Sequence, residues 1–365
     1  MTLTRLLSGD FPRSRVLTCL LLGLLIALAF TPFVFPGVKA LNVAAKVLVF
    51  IVLVASFDLL LGYTGIVSFA HTMFFGIGAY GVAIALTQLG PTWSALAWGS
   101  GAALGLSAAL ALAIGLFSLR VRAIFFAMIT LAVASAFQTL ASQLSEFTGG
   151  EDGLTFNVPA WLSPSTTFLN APWWGVDVDG RLLCYYLLLV IALAALLALL
   201  RIVNSPFGRV LQAIRENEFR AEAIGYRVVV YRTLSSVLSA VFACLAGIML
   251  AVWLRYNGPD TSLSFEIMMD VLLMVVIGGM GTVYGAAMGS AVFMLAQSYL
   301  QNLLAIAHQT LSQWGIAQDM PYLLALLSPD RWMLWLGLLF VLAVYHFPTG
   351  ITGRLRDSSP PFSPE

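Results

Sequence analysis

Ten long apolar runs leave this chain little choice of solvent. They fall near residues 16–35, 40–61, 67–89, 93–119, 123–145, 181–203, 233–254, 265–281, 283–307 and 331–347. Each comes close to the ~20 residues a helix needs to cross a bilayer core of about 30 Å. Of the 365 residues, 60% are hydrophobic and 10% charged, against about 45–50% and about 25% in a soluble domain. Even a soluble domain of about 300 residues leaves about a quarter of its surface in water, so the excess has no soluble core to enter. A soluble enzyme, a nucleic-acid binder and a disordered scaffold are excluded together. The expected fold is an all-α integral membrane protein of about ten transmembrane helices. The stretch 265–308 is the least regular, because its halves meet at a Gly-rich junction; one helix plus a re-entrant piece is the alternative there.

Orientation follows from the basic residues, which concentrate on the cytoplasmic side of membrane proteins. With a cytoplasmic N-terminus, Arg5, Arg13, Arg15, Arg120, Arg122, Arg201, Arg209, Arg215, Arg220, Arg227, Arg232, Arg354 and Arg356 face inward. Only Lys39, Arg181, Arg255 and Arg331 face outward, and Lys46 lies within a span. Both termini are then cytoplasmic. The expected division is an N-terminal segment 1–15, helices one to five over 16–145, an external loop 146–180, helix six over 181–203, a cytoplasmic loop 204–232, helices seven to ten over 233–347, and a cytoplasmic tail 348–365. The tail has a disordered composition. The three cysteines, Cys19, Cys184 and Cys244, lie far apart in apolar runs and read as small hydrophobes. No metal and no cofactor is expected.

The loop 204–232 is the most informative segment. Asn204 or Ser205 can cap a helix, Pro206 suits its first turn, and Gly225 suits its end. Val210, Leu211, Ile214, Ala221 and Ile224 follow a helical spacing and predict one buried face. Five Arg (209, 215, 220, 227, 232) stand against three Glu (216, 218, 222). A lipid-seeking helix would be more uniformly basic, so the mixed charge favours a docking helix for a cytoplasmic protein over a loop resting on headgroups.

Inside the membrane, ionisable groups are costly and usually functional. Asp58 and His71 fall near the inner ends of adjoining spans and are expected to pair as a clamp across the 62–66 turn. Arg255, Glu266 and Asp270 cluster near the outer ends of two spans and are expected to form ion pairs. Gly281-x3-Gly285-x3-Gly289 is a small-residue stripe that permits close helix approach, with Gly101 and Gly105 a weaker copy. Gly62-x2-Gly65 and Gly278-x2-Gly281 each break an apolar run at a separation of 216 residues, which suggests a parallel internal repeat. Broken helices expose backbone N–H and C=O groups to a polar route. The expected translocation path therefore runs beside Tyr63, Thr64, Gly65, Ser68, His71, Gly278, Gly279 and Gly281, with ordinary helix packing the bland alternative.

Several segments together resemble a known family. They are Ser205-Pro206-Phe207-Gly208-Arg209 running into Ala213-Ile214-Arg215-Glu216-Asn217-Glu218, and Ala221-Glu222-Ala223 followed by Gly225. Leu61-Gly62-Tyr63-Thr64-Gly65, Ser68-Phe69-Ala70-His71, Gly76-Ile77-Gly78-Ala79-Tyr80 and Phe125-Phe126-Ala127-Met128-Ile129-Thr130-Leu131 join them. So do Thr148-Gly149-Gly150-Glu151-Asp152-Gly153-Leu154, Ile277-Gly278-Gly279-Met280-Gly281-Thr282 and Pro348-Thr349-Gly350-Ile351. In this order, over about 55–350, the chain resembles the LivM-type permease subunits (LivH/LivM permease family) of branched-chain amino acid ABC importers. It departs at Ala70 and Ala123, where the family pattern has Gly.

The resemblance implies a bacterial inner-membrane permease that is not itself an enzyme. Its implied partners are a second, LivH-like permease subunit, two cytoplasmic ATPase subunits, an external solute-binding protein and the lipid bilayer. ATPase coupling would fall on Phe207, Gly208, Arg209, Ile214, Arg215, Glu216, Glu218, Ala221, Glu222, Ala223 and Gly225. The chain contains no G-x-x-x-x-G-K-[ST] to cradle ATP phosphates, in keeping with a borrowed motor. The solute would be a branched-chain or related amino acid, with urea or short-chain amides as alternatives. An ion-gradient-driven secondary transporter is the competing class; an intramembrane enzyme would need clustered catalytic groups, and His71, His308 and His346 lie far apart.

Overall fold

A computed structural model describes residues 15–35, 37–118, 123–168, 178–313, 327–347 and 349–357. Arg5, Arg13, Arg120, Arg122, Asp177, Pro348 and the tail from Ser358 to Glu365 lie outside the described residues.

The described residues are mostly helical. In order come α1 (Arg15–Val34), α2 (Val38–Thr64), α3 (His71–Leu89), α4 (Trp93–Ser118), α5 (Ala123–Gln143) and the short α6 (Ser145–Thr148). Next are α7 (Gly180–Val203), α8 (Pro206–Glu216), α9 (Glu218–Ala223), α10 (Val228–Leu254), α11 (Pro259–Ser262) and α12 (Phe265–Gly278). The series ends with α13 (Val283–Gln313), α14 (Trp332–His346) and α15 (Gly350–Asp357). Among the described residues, 10 helices or helix pairs are long and apolar enough to cross a membrane by length and composition. Each overlaps one of the ten expected runs, the larger differences including a start at 228 against 233, a start at 259 against 265, an end at 311 against 307 and an end at 353 against 347.

α2 is the axis of the bundle. From Val43 to Leu60 every residue except Lys46 is buried, enclosed by α10, α13, α7 and α12. In lipid this burial is not driven by the hydrophobic effect, because lipid tails are as apolar as leucine; it depends on close van der Waals packing between small residues. α10 supplies them: Ala240, Ala243, Ala246, Gly247 and Ala251. A Cβ on Gly247 would collide with the Phe75 carbonyl, and one on Gly78 with the Cys244 carbonyl, so α3 and α10 cross backbone to backbone. α1 and α14 sit at the periphery with mostly exposed apolar side chains.

The Gly-rich junction is a break between two helices and not a re-entrant loop. At 14 residues, α12 is about 21 Å long at ~1.5 Å per residue, too short alone for a bilayer core. α11 extends it at one end and the 279–282 turn at the other, and α13 then runs 31 residues back. The glycine stripe seats α13 on α12: Cβ atoms on Gly285 and Gly289 would strike the backbone of Gly278 and Met274. The weaker copy does not pack this way, since a Cβ on Gly101 or Gly105 would meet nothing within 4 Å; spacing alone did not reveal that they face away from the chain.

At the end of the bundle away from residues 204–232, part of the expected external loop is ordered by pairing. Leu154–Thr155 forms an antiparallel ladder with Tyr256–Asn257, and Phe156 N–H donates to the Arg255 carbonyl at 3.1 Å. Arg255 takes a left-handed conformation (φ 56°) to end α10. It forms no ion pair with Glu266 or Asp270 among the described residues, contrary to expectation; Asp270 accepts instead from Gln297 Nε2 at 3.4 Å. Cys184 and Cys244 are buried and Cys19 exposed, all three as free thiols.

Candidate functional site

The segment 204–232 folds as its capping residues dictate. Ser205 Oγ accepts from Gly208 N–H at 3.4 Å and Pro206 occupies the first turn of α8. Asn217 ends α8 and at once caps α9, its Oδ1 accepting from Arg220 N–H at 3.0 Å. Gly208 lies so close to the Val203 carbonyl that no side chain fits there. Val210, Ile214, Ala221 and Val228 form a small apolar cluster with Tyr231, and Phe207 stacks on Tyr231 with ring centroids 5.7 Å apart. The Arg232 guanidinium pairs with Glu218 Oε1 at 2.7 Å and fixes α9 to the start of α10.

Ile224 departs from the expected buried face: it is 71% exposed. The extended residue Asn217 resets the helical phase between α8 and α9, so a period counted from Val210 does not carry through. Phe219, which the spacing did not single out, is 85% exposed. Together with the exposed Arg220, Glu222, Ala223 and Gly225 these residues make an exposed tip, apolar at two points and charged between them. Among the expected coupling residues, Gly208, Ile214 and Ala221 face inward, Phe207 and Glu218 are half-buried, and Arg209, Glu216, Glu222, Ala223 and Gly225 face out.

Arg215 does something different. From α8 it reaches the end of α2, where its Nη1 donates to the Gly62 carbonyl. That acceptor is open because α2 closes with a shifted pattern: the N–H groups of both Gly65 and Ile66 bond to the Leu60 carbonyl. The last carbonyls of a helix lack intrahelical partners and carry the negative end of its dipole, so a guanidinium suits them. Beside it, Asp58 Oδ1 accepts from Gly281 N–H at 2.8 Å, and the Thr282 N–H also faces the carboxylate. A Cβ on Gly62 would strike both the Asp58 carboxylate and the Gly281 nitrogen, while one on Gly281 would press on Arg215 and the Gly62 carbonyl. The two glycine turns, 216 residues apart in sequence, are thus pressed together and bridged by one acid and one base. α15 closes the other side: Thr352 Oγ1 donates to the Gly278 carbonyl at 2.7 Å and lies 3.0 Å from Thr282 Oγ1.

Asp58 and His71 do not pair. His71 Nε2 lies 2.9 Å from Ser56 Oγ and 3.5 Å from Ser239 Oγ. Those hydroxyls already donate to the carbonyls of Leu53 and Ser56, at 2.7 and 2.5 Å, so Nε2 is the donor and Nδ1 is left bare in the interior. The helical turn between positions 56 and 58 sends the two side chains to different neighbours: Ser56 to α3 and α10, Asp58 to the 278–282 turn. Tyr63, Thr64, Ser68 and His71 are all buried; Thr64 Oγ1 donates to the Leu59 carbonyl at 2.9 Å and lies 3.5 Å from Ser235 Oγ. Gly278 and Gly279 are buried, while Gly65 is exposed and Gly281 half-buried. None of these residues lines either of two apolar cavities, of about 300 and 600 Å³, that lie along α1 against α2, α7 and α13.

Residues 39–344 match the family described as branched-chain amino acid transport system, permease component. The chain belongs to this family. It is therefore the permease component of a transport system and a multi-pass protein of the inner membrane. The high-affinity branched-chain amino acid transport system permease protein LivM of Salmonella typhimurium is 27% identical over 296 residues, covering 76% of this chain and 67% of that protein. LivM of Escherichia coli K12 is 25% identical over 296 residues (77% and 68%). A probable branched-chain amino acid transport permease protein LivM of Methanocaldococcus jannaschii is 24% identical over 178 residues, 48% of each chain. No solved structure matches the chain significantly.

Proposed function

We propose that this permease component moves branched-chain or closely related amino acids inward as part of an ABC importer, and that its energy comes from separate ATPase subunits docking on residues 204–232. The supporting observation is the two-sided build of that segment. Its inner side is packed and capped, while its tip exposes Phe219 and Ile224, 85% and 71% accessible. Exposed aromatic anchors ringed by mixed charge are the usual composition of a protein-docking surface. In this reading both termini and the 204–232 segment are cytoplasmic, and an external binding protein delivers the solute to the far side. A second permease subunit completes the path, in keeping with the buried state of Tyr63, Thr64, Ser68 and His71 within one chain. Gly65, Gly278, Gly279 and Gly281 then border the route at its inner end.

The test is co-purification and uptake. Phe219→Asp in the assembled transporter should abolish co-purification of the ATPase subunits and reduce ATP-driven leucine uptake into proteoliposomes at least tenfold. Full retention of both would remove the docking role. Uptake that collapses when the proton gradient is dissipated, with ATP still present, would favour an ion-gradient transporter instead.

A further inference from the structure

We propose that Arg215 is the positioning residue through which the docking segment acts on the membrane helices, a role that rests on the coupling reading above and deepens it. Its guanidinium sits on the Gly62 carbonyl at the end of α2 and beside the Asp58–Gly281 hydrogen bond at the start of α13. One side chain therefore bonds the end of α2 and borders the turn before α13, two places that belong to different parts of the chain.

Three observations carry this. First, the other side-chain hydrogen bonds described for the segment close within it or onto α7 and α10, which flank it. Asn204 bonds Leu200, Ser205 bonds Ile202, Asn217 caps α9, and Arg232 pairs with Glu218. Arg215 alone among these bonds reaches a helix that is distant in sequence, 153 residues away. Second, its acceptor is a carbonyl freed by the shifted closure of α2, so the bond is not competing with the helix for its partner. Third, the joint is tight where its glycines meet. Gly62 and Gly281 tolerate no side chain between them, and Gly65 has Arg215 Cγ 3.2 Å from where its own Cβ would stand. Movement of α8 must then carry the guanidinium with it and pull or release both turns together. Asp58, buried beside this joint, accepts from Gly281 N–H through Oδ1, while its Oδ2 accepts no hydrogen bond.

The experiment uses the complete transporter in proteoliposomes, with radiolabelled leucine as the probe, and reads the ratio of leucine taken up to ATP hydrolysed. Arg215→Ala should lower that ratio at least tenfold while the ATPase subunits still co-purify. Arg215→Lys, which keeps one donor and the charge, should recover part of it. A wild-type ratio in Arg215→Ala overturns the assignment. So does a proportional fall of uptake and hydrolysis, which would mark a merely structural arginine. Loss of ATPase co-purification in Arg215→Ala would make it a docking residue; the positioning role would fall while the docking reading stood. Retained assembly in Phe219→Asp would instead remove the docking reading itself.

Discussion

The turns at 62–65 and 278–281 have the same glycine spacing and opposite roles. Each follows a helix, fully packed in α2 and half-buried in α12, and in each the last glycine has a positive φ, 73° at Gly65 and 82° at Gly281. The first turn offers a carbonyl, which Arg215 takes; the second offers an N–H, which Asp58 takes. The first is open on its outer side, where Gly65 is exposed, whereas the second is sealed by Thr352 and by Gly350 packed on Gly279. Identical sequence punctuation thus gives an acceptor pole facing the loop and a donor pole held within the bundle. Giving the orphan C=O to Arg215 and the orphan N–H to Asp58 removes two unsatisfied groups from a medium where each costs several kcal/mol.

Substitutions can test how unequal the two poles are. The largest effect is expected for Gly62→Ala. Its Cβ meets a backbone nitrogen and a buried carboxylate that cannot move apart without breaking the 2.8 Å bond between Asp58 and Gly281. A loss of about 3 kcal/mol, the upper part of the overpacking range, should appear in reversible denaturation in mixed SDS micelles. Asp58→Leu comes next, at about 2 kcal/mol for an unmet N–H, while Asp58→Asn keeps an acceptor and should lose less than half of that. If Leu and Asn cost the same, the hydrogen bond is not what joins the poles. Gly65→Ala should cost about 1–2 kcal/mol, because the left-handed conformation is strained for a residue with a Cβ but the only crowding neighbour is the flexible stem of Arg215. A Gly65→Ala loss equal to that of Gly62→Ala would erase the distinction between an open turn and a packed one.

Much of the bundle was legible because lipid imposes a single rule, about 20 apolar residues per crossing, and the charges between crossings followed it. The start of α8 and the stop after α9 were legible too, since Ser205, Pro206 and Gly225 act locally, whereas the Asn217 cap between the two helices was not read. What escaped were several contacts set by the angle of a side chain around a helix. Position 58 lies near 71 in any linear drawing, yet two residues along α2 separate the neighbours of Ser56 from those of Asp58. Ile224 fits the period of α8 but belongs to a helix whose phase Asn217 has reset. The bridge from Arg215 to Gly62 had only an indirect trace in the sequence, a lone basic residue in the last turn of a short helix. The glycine pairs 216 residues apart hinted that two turns matter without saying that they touch.

The smallest effect should come from the seal on the second turn. Thr352→Val preserves shape and removes one hydroxyl, which donates to the Gly278 carbonyl at 2.7 Å and meets Thr282 Oγ1 at 3.0 Å. Thr282 keeps its own bond to the Gly279 carbonyl at 2.9 Å, so one buried acceptor loses its partner, at about 1 kcal/mol. The same denaturation assay measures it, and the comparison with Gly65→Ala sharpens the contrast between the poles. If α15 is a clamp that matters only to the donor pole, Thr352→Val and Asp58→Leu should be non-additive, because both loosen the 278–282 turn, whereas Thr352→Val and Gly65→Ala should add. Additivity in both pairs would mean that the seal and the acid act on the turn independently.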